Sequence, residues 1–384
     1  MAYPSPLEPI APSAQPWLDP ECFRPTGEIG CGYWALGEIR PCSPDELVEK
    51  IRLDKSEQIE LVAVPGSSRL VPPQCVDFLY GAALERARLA ARSGMGLPLV
   101  GLMLFWGLAI AAAFQLPDAI LGLVFLGLFF GGATVFSKIY DLWVLRRSPA
   151  QPTPELIAAA KYEAWVRLLS APADWFLPGL LTVVGLIQIF AGLERSVAVA
   201  GLVKEAVWQG EAWRMLTGPL LHGSAQHWWS NTVGLIVFGT LLSRLVDRSV
   251  INVVFLCSAF AGSVLSLLGT EKTSIGASGG VLGLVGFLAV ALWTHRRTLP
   301  RVALRPVVEV LVFVVLMGII GYRFIDNWAH LGGLLTGGAL GALYARALPS
   351  AFPIRGGRWA AWVSRLAATG MAGGAVWAVL RMVG

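Results

Sequence analysis

One serine lies in a segment whose neighbours suit nucleophilic chemistry. Ser278 stands in the sequence SIGASGG (residues 274–280), between Gly276 and Gly279. Glycines let a substrate backbone approach closely. If a helix begins at the serine, its first N–H groups lack intrahelical partners and can stabilise an oxyanion. An N-cap serine after a flexible loop has the same appearance, so this motif alone leaves both interpretations open.

A histidine further along the chain is a candidate general base for such a serine. His330 lies in NWAHLGG and is followed by Gly333 and Gly337. Glycines four residues apart allow a helix to pack closely on a neighbour. We therefore expect this helix to bring His330 towards Ser278, although a single histidine here also fits an interfacial position.

A third polar pair has the spacing of one helical face. His227 and Asn231 are four residues apart within HGSAQHWWSN. Both side chains can donate hydrogen bonds to an oxyanion, but two adjacent tryptophans also make an interfacial aromatic belt a reasonable interpretation. His222 and His295 fall in loops, where structural or solvated roles are expected.

Composition indicates an integral membrane protein. Hydrophobic residues make up 55% of the 384 residues and charged residues only 14%, against about 25% charged in an average soluble domain. This balance excludes a soluble globular protein and a disordered chain. The five cysteines form no CxxC pair, so the sequence predicts neither a metal site nor a disulfide framework, and no cofactor is expected.

Apolar runs long enough to span a bilayer as helices recur from residue 97 onwards. Two runs come first, and seven follow a polar stretch; their ranges are 97–116, 119–136, 176–193, 226–246, 251–269, 278–294, 303–321, 328–347 and 362–382. The sequence thus predicts an all-α polytopic membrane protein.

Basic residues predict the orientation of these helices. With a cytoplasmic N-terminus, the inner loops carry 15 Lys and Arg residues and the outer loops carry 5, as the positive-inside rule requires. Because the net charge of +5 comes from such loops, no nucleic-acid partner is expected. The absence of a signal-peptide pattern at the start favours a multi-pass protein of the plasma (inner) membrane. This orientation also puts Ser278, His330 and His227 at one level, just below the outer surface.

The first 95 residues differ from the rest. Residues 1–30 are rich in proline and predict a flexible tail, and residues 31–95 predict a small soluble α+β module. Within the module we expect strands over 33–39 and 58–64, a helix over 44–51 capped by Ser43, and a helix over 76–95. Residues 97–136 would hold two extra transmembrane helices, and 137–175 a cytosolic linker. The module's partner is unknown.

Taken together, the motifs resemble those of the rhomboid intramembrane serine proteases. The matching elements are Trp213-Arg214, the HxxxxHxxxN set that includes His227 and Asn231, GASG around Ser278, and AHxxGxxxG from Ala329 to Gly337. Their order on the second, fourth and sixth core helices also fits. The resemblance covers about residues 176–347.

The resemblance implies a six-helix rhomboid core, here preceded by two transmembrane helices and followed, in residues 348–384, by a ninth. It implies a Ser278–His330 dyad that cleaves single-span membrane protein substrates in the lipid bilayer, with His227, Asn231 and backbone N–H groups as the oxyanion hole. Trp213 and Arg214 would seat the outer loop, and the fifth core helix would be the lateral gate. One departure is Leu282, because the family usually carries an aromatic residue there, stacked on the histidine.

Other functions fit the pattern less well. A rhomboid-like protein that binds membrane helices without cutting them finds its support in Leu282. A transporter or channel would need polar residues near the membrane midplane, whereas this polar set stays at the outer ends. Metalloprotease and aspartyl protease chemistry are disfavoured, because the sequence contains no HExxH and almost no carboxylates within its apolar runs.

Overall fold

The computed structural model describes residues 16–18, 23–27, 30–35, 37–54, 59–93, 96, 99, 103, 133–169, 175–322, 325–347 and 358–384. These residues are mostly helical. The chain divides into two compact units, the first built mainly from residues 1–168 and the second mainly from residues 169–299 and 324–384. Nearly all of the predicted transmembrane run 97–116, most of the run 119–136 and residues 348–357 lie outside the described residues.

The first unit contains a three-stranded antiparallel sheet. Strands β1 (Gly32–Ala35) and β2 (Glu38–Pro41) form a hairpin, and β3 (Val62–Ala63) pairs with the other edge of β1, giving the order β2-β1-β3. The single strand expected over 33–39 is therefore two strands. Gly37 permits the reversal between them because its φ is +95°.

Two helices cover this sheet with a small apolar core. Helix α1 (Pro44–Leu53) begins where predicted, since the Ser43 hydroxyl accepts a hydrogen bond from the Glu46 N–H at 3.2 Å. Helix α2 (Asp77–Ser93) packs beside it. The core consists of side chains from both helices and from the strands around them, namely Leu47, Ile51, Ile59, Val62, Val64, Leu79, Ala82 and Ala83.

Two further helices belong to the first unit. These are α3 (Ala133–Arg146) and α4 (Pro154–Leu168), in the stretch interpreted from its sequence as a linker. Trp17, from the proline-rich N-terminal segment, is 1% exposed and packs edge-on against Tyr162 of α4, with ring centroids 5.2 Å apart. Burial of this indole fixes that part of the segment on α4, a contact that a flexible tail would not make.

Every apolar run predicted after residue 175 lies in a helix. In chain order, the helices are α5 (Phe176–Ala191), α6 (Leu193–Ala200), α7 (Lys204–Trp208), α8 (Arg214–Thr217), α9 (Ala225–Leu245), α10 (Arg248–Gly269), α11 (Ser278–Thr294), α12 (Arg305–Ile320), α13 (Asn327–Ala347) and α14 (Arg358–Val383). Short 3₁₀ turns occupy Pro16–Leu18, Pro73–Cys75, Gly218–Leu220 and Arg301–Ala303. The outer loop expected between the first two core helices thus contains α6, α7 and α8.

Length and composition mark some of these helices as membrane spans. Among the described residues, α10 and α14 are long and apolar enough to cross a bilayer alone. The α5–α6 pair passes the same test together but bends by 114°, and α11 is a shorter apolar helix of 17 residues. Mostly helical structure with such spans is that of a membrane protein.

Candidate active site

The structure brings Ser278 and His330 into direct contact. The serine Oγ lies 2.7 Å from the histidine Nε2, a hydrogen-bond distance. Each residue stands in the first turn of its helix, Ser278 on α11 and His330 on α13. Ala277 occupies the cap position of α11, so the Ser278 hydroxyl does not act as an N-cap and points to the imidazole.

Glycines allow the two helices to approach closely enough for this contact. A Cβ at Gly279 would lie 3.2 Å from the Ala329 carbonyl oxygen, and a Cβ at Gly333 or Gly337 would overlap the backbone of Gly279 or Gly283. Real Cβ atoms essentially never come as near as those added at Gly333 and Gly337 would, whereas the contact at Gly279 is only tighter than usual. Close packing of α11 on α13 therefore requires glycine at positions 333 and 337.

His227 and Asn231 lie against the segment that leads to Ser278. Both are on α9, which is capped by Ser224. A Cβ at Gly276 would stand 2.5 Å from His227 Cε1 and 3.5 Å from Asn231 Nδ2. Gly276 also has a φ of +112°, a backbone conformation that glycine adopts without strain. Two independent constraints thus select glycine at position 276.

The amide of Asn231 has one hydrogen committed and a second to offer. Its Nδ2 donates to the His227 carbonyl oxygen at 3.0 Å, and an Asn amide carries two N–H donors. The side chain is 6% exposed, so any oxygen that it meets is shielded from bulk water. The first turn of α11, which begins at Ser278, adds backbone N–H groups that lack intrahelical partners.

Trp213 and Arg214 hold the outer loop together. The Arg214 side chain is buried, and its guanidinium donates to the carbonyl oxygens of Ala198 (3.1 Å) and Gly201 (2.8 Å) and to the Glu211 carboxylate (2.5 Å). It also lies over the Trp213 ring. This predicted pair is 60 residues or more from the dyad in sequence and contacts loop backbone, not Ser278 or His330.

Two polar groups near the dyad were not singled out from the sequence. Gln188 on α5 is fully buried and exchanges hydrogen bonds with the His222 backbone, at 2.9 and 3.2 Å. The His222 ring then packs edge-on against His227, with centroids 5.1 Å apart. A glutamine inside an apolar run is costly without partners, which is the signal that should have identified Gln188.

The second overlooked group is a buried chain of charged and hydroxyl side chains. Asp326 precedes α13 and accepts a hydrogen bond from the Ala329 N–H at 3.0 Å. Ser266 links it to Lys204, which is 2% exposed. Neither residue has a local sequence pattern that indicates this contact, and Lys204 has the appearance of an ordinary loop lysine.

A narrow cleft opens beside the dyad. Small residues form much of its wall, among them Ser263, Ser274, Gly276, Gly279 and Ala329. Their short side chains leave room next to the Ser278 backbone. The arrangement combines a nucleophile, a base, clustered donors and a small recess, which are the parts that acyl transfer requires.

One family model matches the part of the chain that holds this site. Residues 209–347 match the family model described as the Rhomboid domain. This range contains all of the residues singled out above for nucleophile, base and oxyanion binding.

Individual relatives match the same part of the chain. RHOMBOID-like protein 6, mitochondrial, from Arabidopsis thaliana is 37% identical over 140 residues, which are 36% of this chain and 45% of the relative. Rhomboid protease GluP of Bacillus subtilis is 30% identical over 148 residues, 38% of this chain and 28% of the relative. Rhomboid-like protease 1 of Toxoplasma gondii is 32% identical over 164 residues, 41% of this chain and 54% of the relative. The chain thus spans about a quarter to a half of the length of these relatives.

Proposed function

Because the chain is a rhomboid family protein over residues 209–347, we propose that it is an intramembrane serine endopeptidase. It cleaves transmembrane-anchored substrates near the outer membrane face with a Ser278–His330 dyad. The observation that carries this proposal is the 2.7 Å contact between the two side chains, made at the starts of two helices that begin on the same side of the bundle.

The dyad supplies the nucleophile and the proton carrier. Ser278 Oγ attacks the carbonyl carbon of the scissile peptide bond while His330 Nε2 takes the hydroxyl proton. The C–N bond then breaks, His330 gives that proton to the leaving amine, and an acyl-enzyme forms on Ser278. Water attacks this ester with His330 again as base, which releases the acid product and restores the serine hydroxyl.

We assign stabilisation of the oxyanion to hydrogen-bond donors near Ser278. His227 and the second N–H of Asn231 are proposed to bind the oxygen, together with backbone N–H groups in the first turn of α11. The proximity of both side chains to Gly276 supports this assignment, since Gly276 lies two residues before the nucleophile.

The proposed topology is a six-helix core of α5 and α9 to α13, with two preceding transmembrane helices and α14 as a further span. Contacts at both ends of α14 support the last part. Ser364 near its start lies 3.3 Å from Asn252 near the start of α10, and Trp377 near its end packs on Trp213. Helix α14 therefore runs parallel to α10. With the positive-inside rule, this favours an inner plasma membrane location and a cytoplasmic N-terminus.

Proposed substrates are single-span membrane proteins that enter sideways from the lipid. Helix α12 is the proposed gate because several of its apolar side chains are exposed; Val308, Val312, Val315, Leu316 and Ile319 are each at least 50% exposed. A loosely packed helix can move at low cost. No partner is proposed for the N-terminal module.

Cleavage of a single-span substrate by the full chain in liposomes tests the proposal. Wild type should cut, while Ser278→Ala and His330→Ala should not, although both remain folded. A fluorophosphonate should label Ser278 in wild type only. Cleavage that persists in Ser278→Ala would reject the mechanism.

The second candidate function is binding of membrane helices without cleavage. Leu282 favours it, because leucine replaces the aromatic residue that usually restrains the histidine. Its side chain is 7% exposed and can still pack, but it offers no ring to stack on the imidazole. A protein that binds the substrate yet neither cuts it nor reacts with the fluorophosphonate would establish this alternative.

A further inference from the structure

A buried ionic chain lies close to the dyad without touching the serine hydroxyl. The Lys204 ammonium donates to Ser266 Oγ at 2.5 Å, and Ser266 Oγ donates to one carboxylate oxygen of Asp326. Lys204 is 2% exposed and Ser266 is fully buried. A buried lysine is costly unless it is paired, so these hydrogen bonds must contribute to the structure or to the function.

Asp326 is attached to the helix that carries the base. Its other carboxylate oxygen accepts the Ala329 N–H at 3.0 Å, and its backbone carbonyl oxygen accepts the His330 N–H at 3.1 Å. The carboxylate is thus the N-cap of α13, and the histidine lies in the turn that this cap fixes.

The same carboxylate is attached to the segment that carries the nucleophile. The Ser274 hydroxyl lies close enough to Asp326 to help lower the pKa of its carboxyl group. Ser274 also exchanges backbone hydrogen bonds with Leu202 at 3.0 and 3.2 Å. Residues 274–278 therefore run to Ser278 from a point that is paired with the outer loop and lies beside Asp326.

Lys204 and Asp326, the two ends of this ionic chain, are both charged at neutral pH. Burial lowers the pKa of Lys204 to about 8, although Asp326 and Glu271 oppose this shift. Burial alone would raise the pKa of Asp326, but hydrogen bonds from Ser266, Ser274 and Ala329, together with Lys204, leave it below the ordinary value. The pair is therefore an ammonium and a carboxylate bridged by a hydroxyl.

We propose that Asp326 is a positioning residue of the dyad. Neutralised by Lys204 through Ser266, its carboxylate fastens the segment of Ser278 to the first turn of the helix of His330 and so fixes the distance between nucleophile and base. The inference rests on the proposed proteolytic function. It supplies a restraint on His330 in a chain where Leu282 replaces the usual stacking ring.

The test uses the rate at which a fluorophosphonate labels Ser278 in the purified full chain, which requires no membrane substrate. Asp326→Asn keeps an N-cap, because asparagine caps helices as well as aspartate, but it removes the charge and leaves Lys204 unpaired. We expect labelling to slow about 10- to 100-fold, the cost of a small misplacement of reacting groups. In cleavage assays, kcat should fall while KM stays unchanged.

The double variant Asp326→Asn/Lys204→Met distinguishes positioning from simple instability. It removes the unpaired ammonium, so labelling should recover at least about threefold relative to Asp326→Asn. Glu271→Gln is the matched control, because it removes an exposed carboxylate near Lys204 that binds neither segment. It should label within about twofold of wild type.

Several outcomes would overturn the inference. Asp326→Asn that labels at the wild-type rate would do so, as would a double variant as slow as Asp326→Asn with a parallel loss of thermal stability. If Asp326→Asn does not fold, Ser274→Ala decides the question, since an unchanged labelling rate there also rejects positioning. Wild type that never labels would refute the proposed function instead, so the two failures are distinguishable.

Discussion

Each unit contains a polar pair, and the two pairs are built differently. In the first unit, Arg86 donates to Asp54 at 3.1 Å and to the Ile59 carbonyl oxygen at 2.8 Å, and the Ile59 N–H donates to the same carboxylate at 2.8 Å. Both side chains of this ion pair are less than 10% exposed. These groups satisfy one another's hydrogen bonds and join residue 54 to residue 59.

The pair in the second unit consists of neutral groups joined by one exchangeable hydrogen bond. Ser278 and His330 are partly exposed and lie at helix starts beside a cleft of small residues. A neutral serine–histidine bond can be given up to a substrate at little cost, whereas breaking a buried ion pair is expensive. The buried ion pair of the first unit thus stabilises the fold, whereas the partly exposed pair of the second unit is available for reaction.

The largest expected effect separates reactivity from stability at the dyad. Ser278→Ala should reduce cleavage by more than about 10⁴-fold, because nucleophile and base act as one unit. Its thermal unfolding midpoint should stay close to that of wild type, since the hydroxyl is not a helix cap. A substrate-cleavage assay and a thermal melt on the same sample measure both quantities. Loss of stability in proportion to activity would show that this pair, too, is structural.

The next effect concerns the packing on which the dyad depends. Gly337→Val places a side chain where the Gly283 backbone lies, so α13 must shift away from α11. We expect cleavage to be lost and stability to fall by about 1–3 kcal/mol, measured by substrate cleavage and thermal unfolding. Gly239→Ala on α9 is the control, because nothing lies within 4 Å of the added methyl group. Full activity in Gly337→Val would mean that this close approach is not needed.

Sequence reasoning reached much of the site because membrane helices constrain it so strongly. Polar residues are rare in apolar runs, and Ser278, His330, His227 and Asn231 stood out for that reason. Helix parity then put them at one level, and the glycine spacing indicated which helices pack closely. The distance of 2.7 Å between serine and histidine could not be predicted, because it depends on helix rotation and tilt.

The features that were missed depend on tertiary contacts without a local pattern. Lys204 lies in an amphipathic loop, and nothing in its neighbours indicates that it is buried against Ser266. The sequence predicts one strand where β1 and β2 form a hairpin, because Gly37 is a single interruption in an otherwise continuous β-prone run. The helices α3 and α4 are too weakly amphipathic and too polar to resemble membrane spans.

A smaller effect on cleavage tests the structural side of the comparison. Arg86→Met leaves the Asp54 carboxylate buried without its cation, which should destabilise the first unit by about 3–5 kcal/mol. Substrate cleavage at a temperature where this unit stays folded should remain at least half of the wild-type value. Arg52→Met is the control, since its pairs with Glu49 and Glu85 are exposed and are worth less than about 1 kcal/mol. Cleavage that falls with Arg86→Met alone would make this ion pair part of the functional machinery.

The smallest effect distinguishes the Lys204–Asp326 pair from the Arg86–Asp54 pair by pH. Burial lowers the pKa of Lys204 to about 8 from its ordinary 10.5, whereas the cation of the other pair is the guanidinium of Arg86. Between these values the unfolded chain binds more protons at Lys204 than the folded chain does, so the stability contributed by this residue rises with pH. From pH 8 to pH 10, wild type should therefore gain up to about 2 kcal/mol relative to Lys204→Met. Relative to Arg86→Met, wild type should show no such gain in the same thermal melts. Parallel pH curves for wild type and Lys204→Met would mean that the ammonium is as well solvated in the folded protein as in the unfolded chain, and the contrast between the lysine and arginine pairs would disappear.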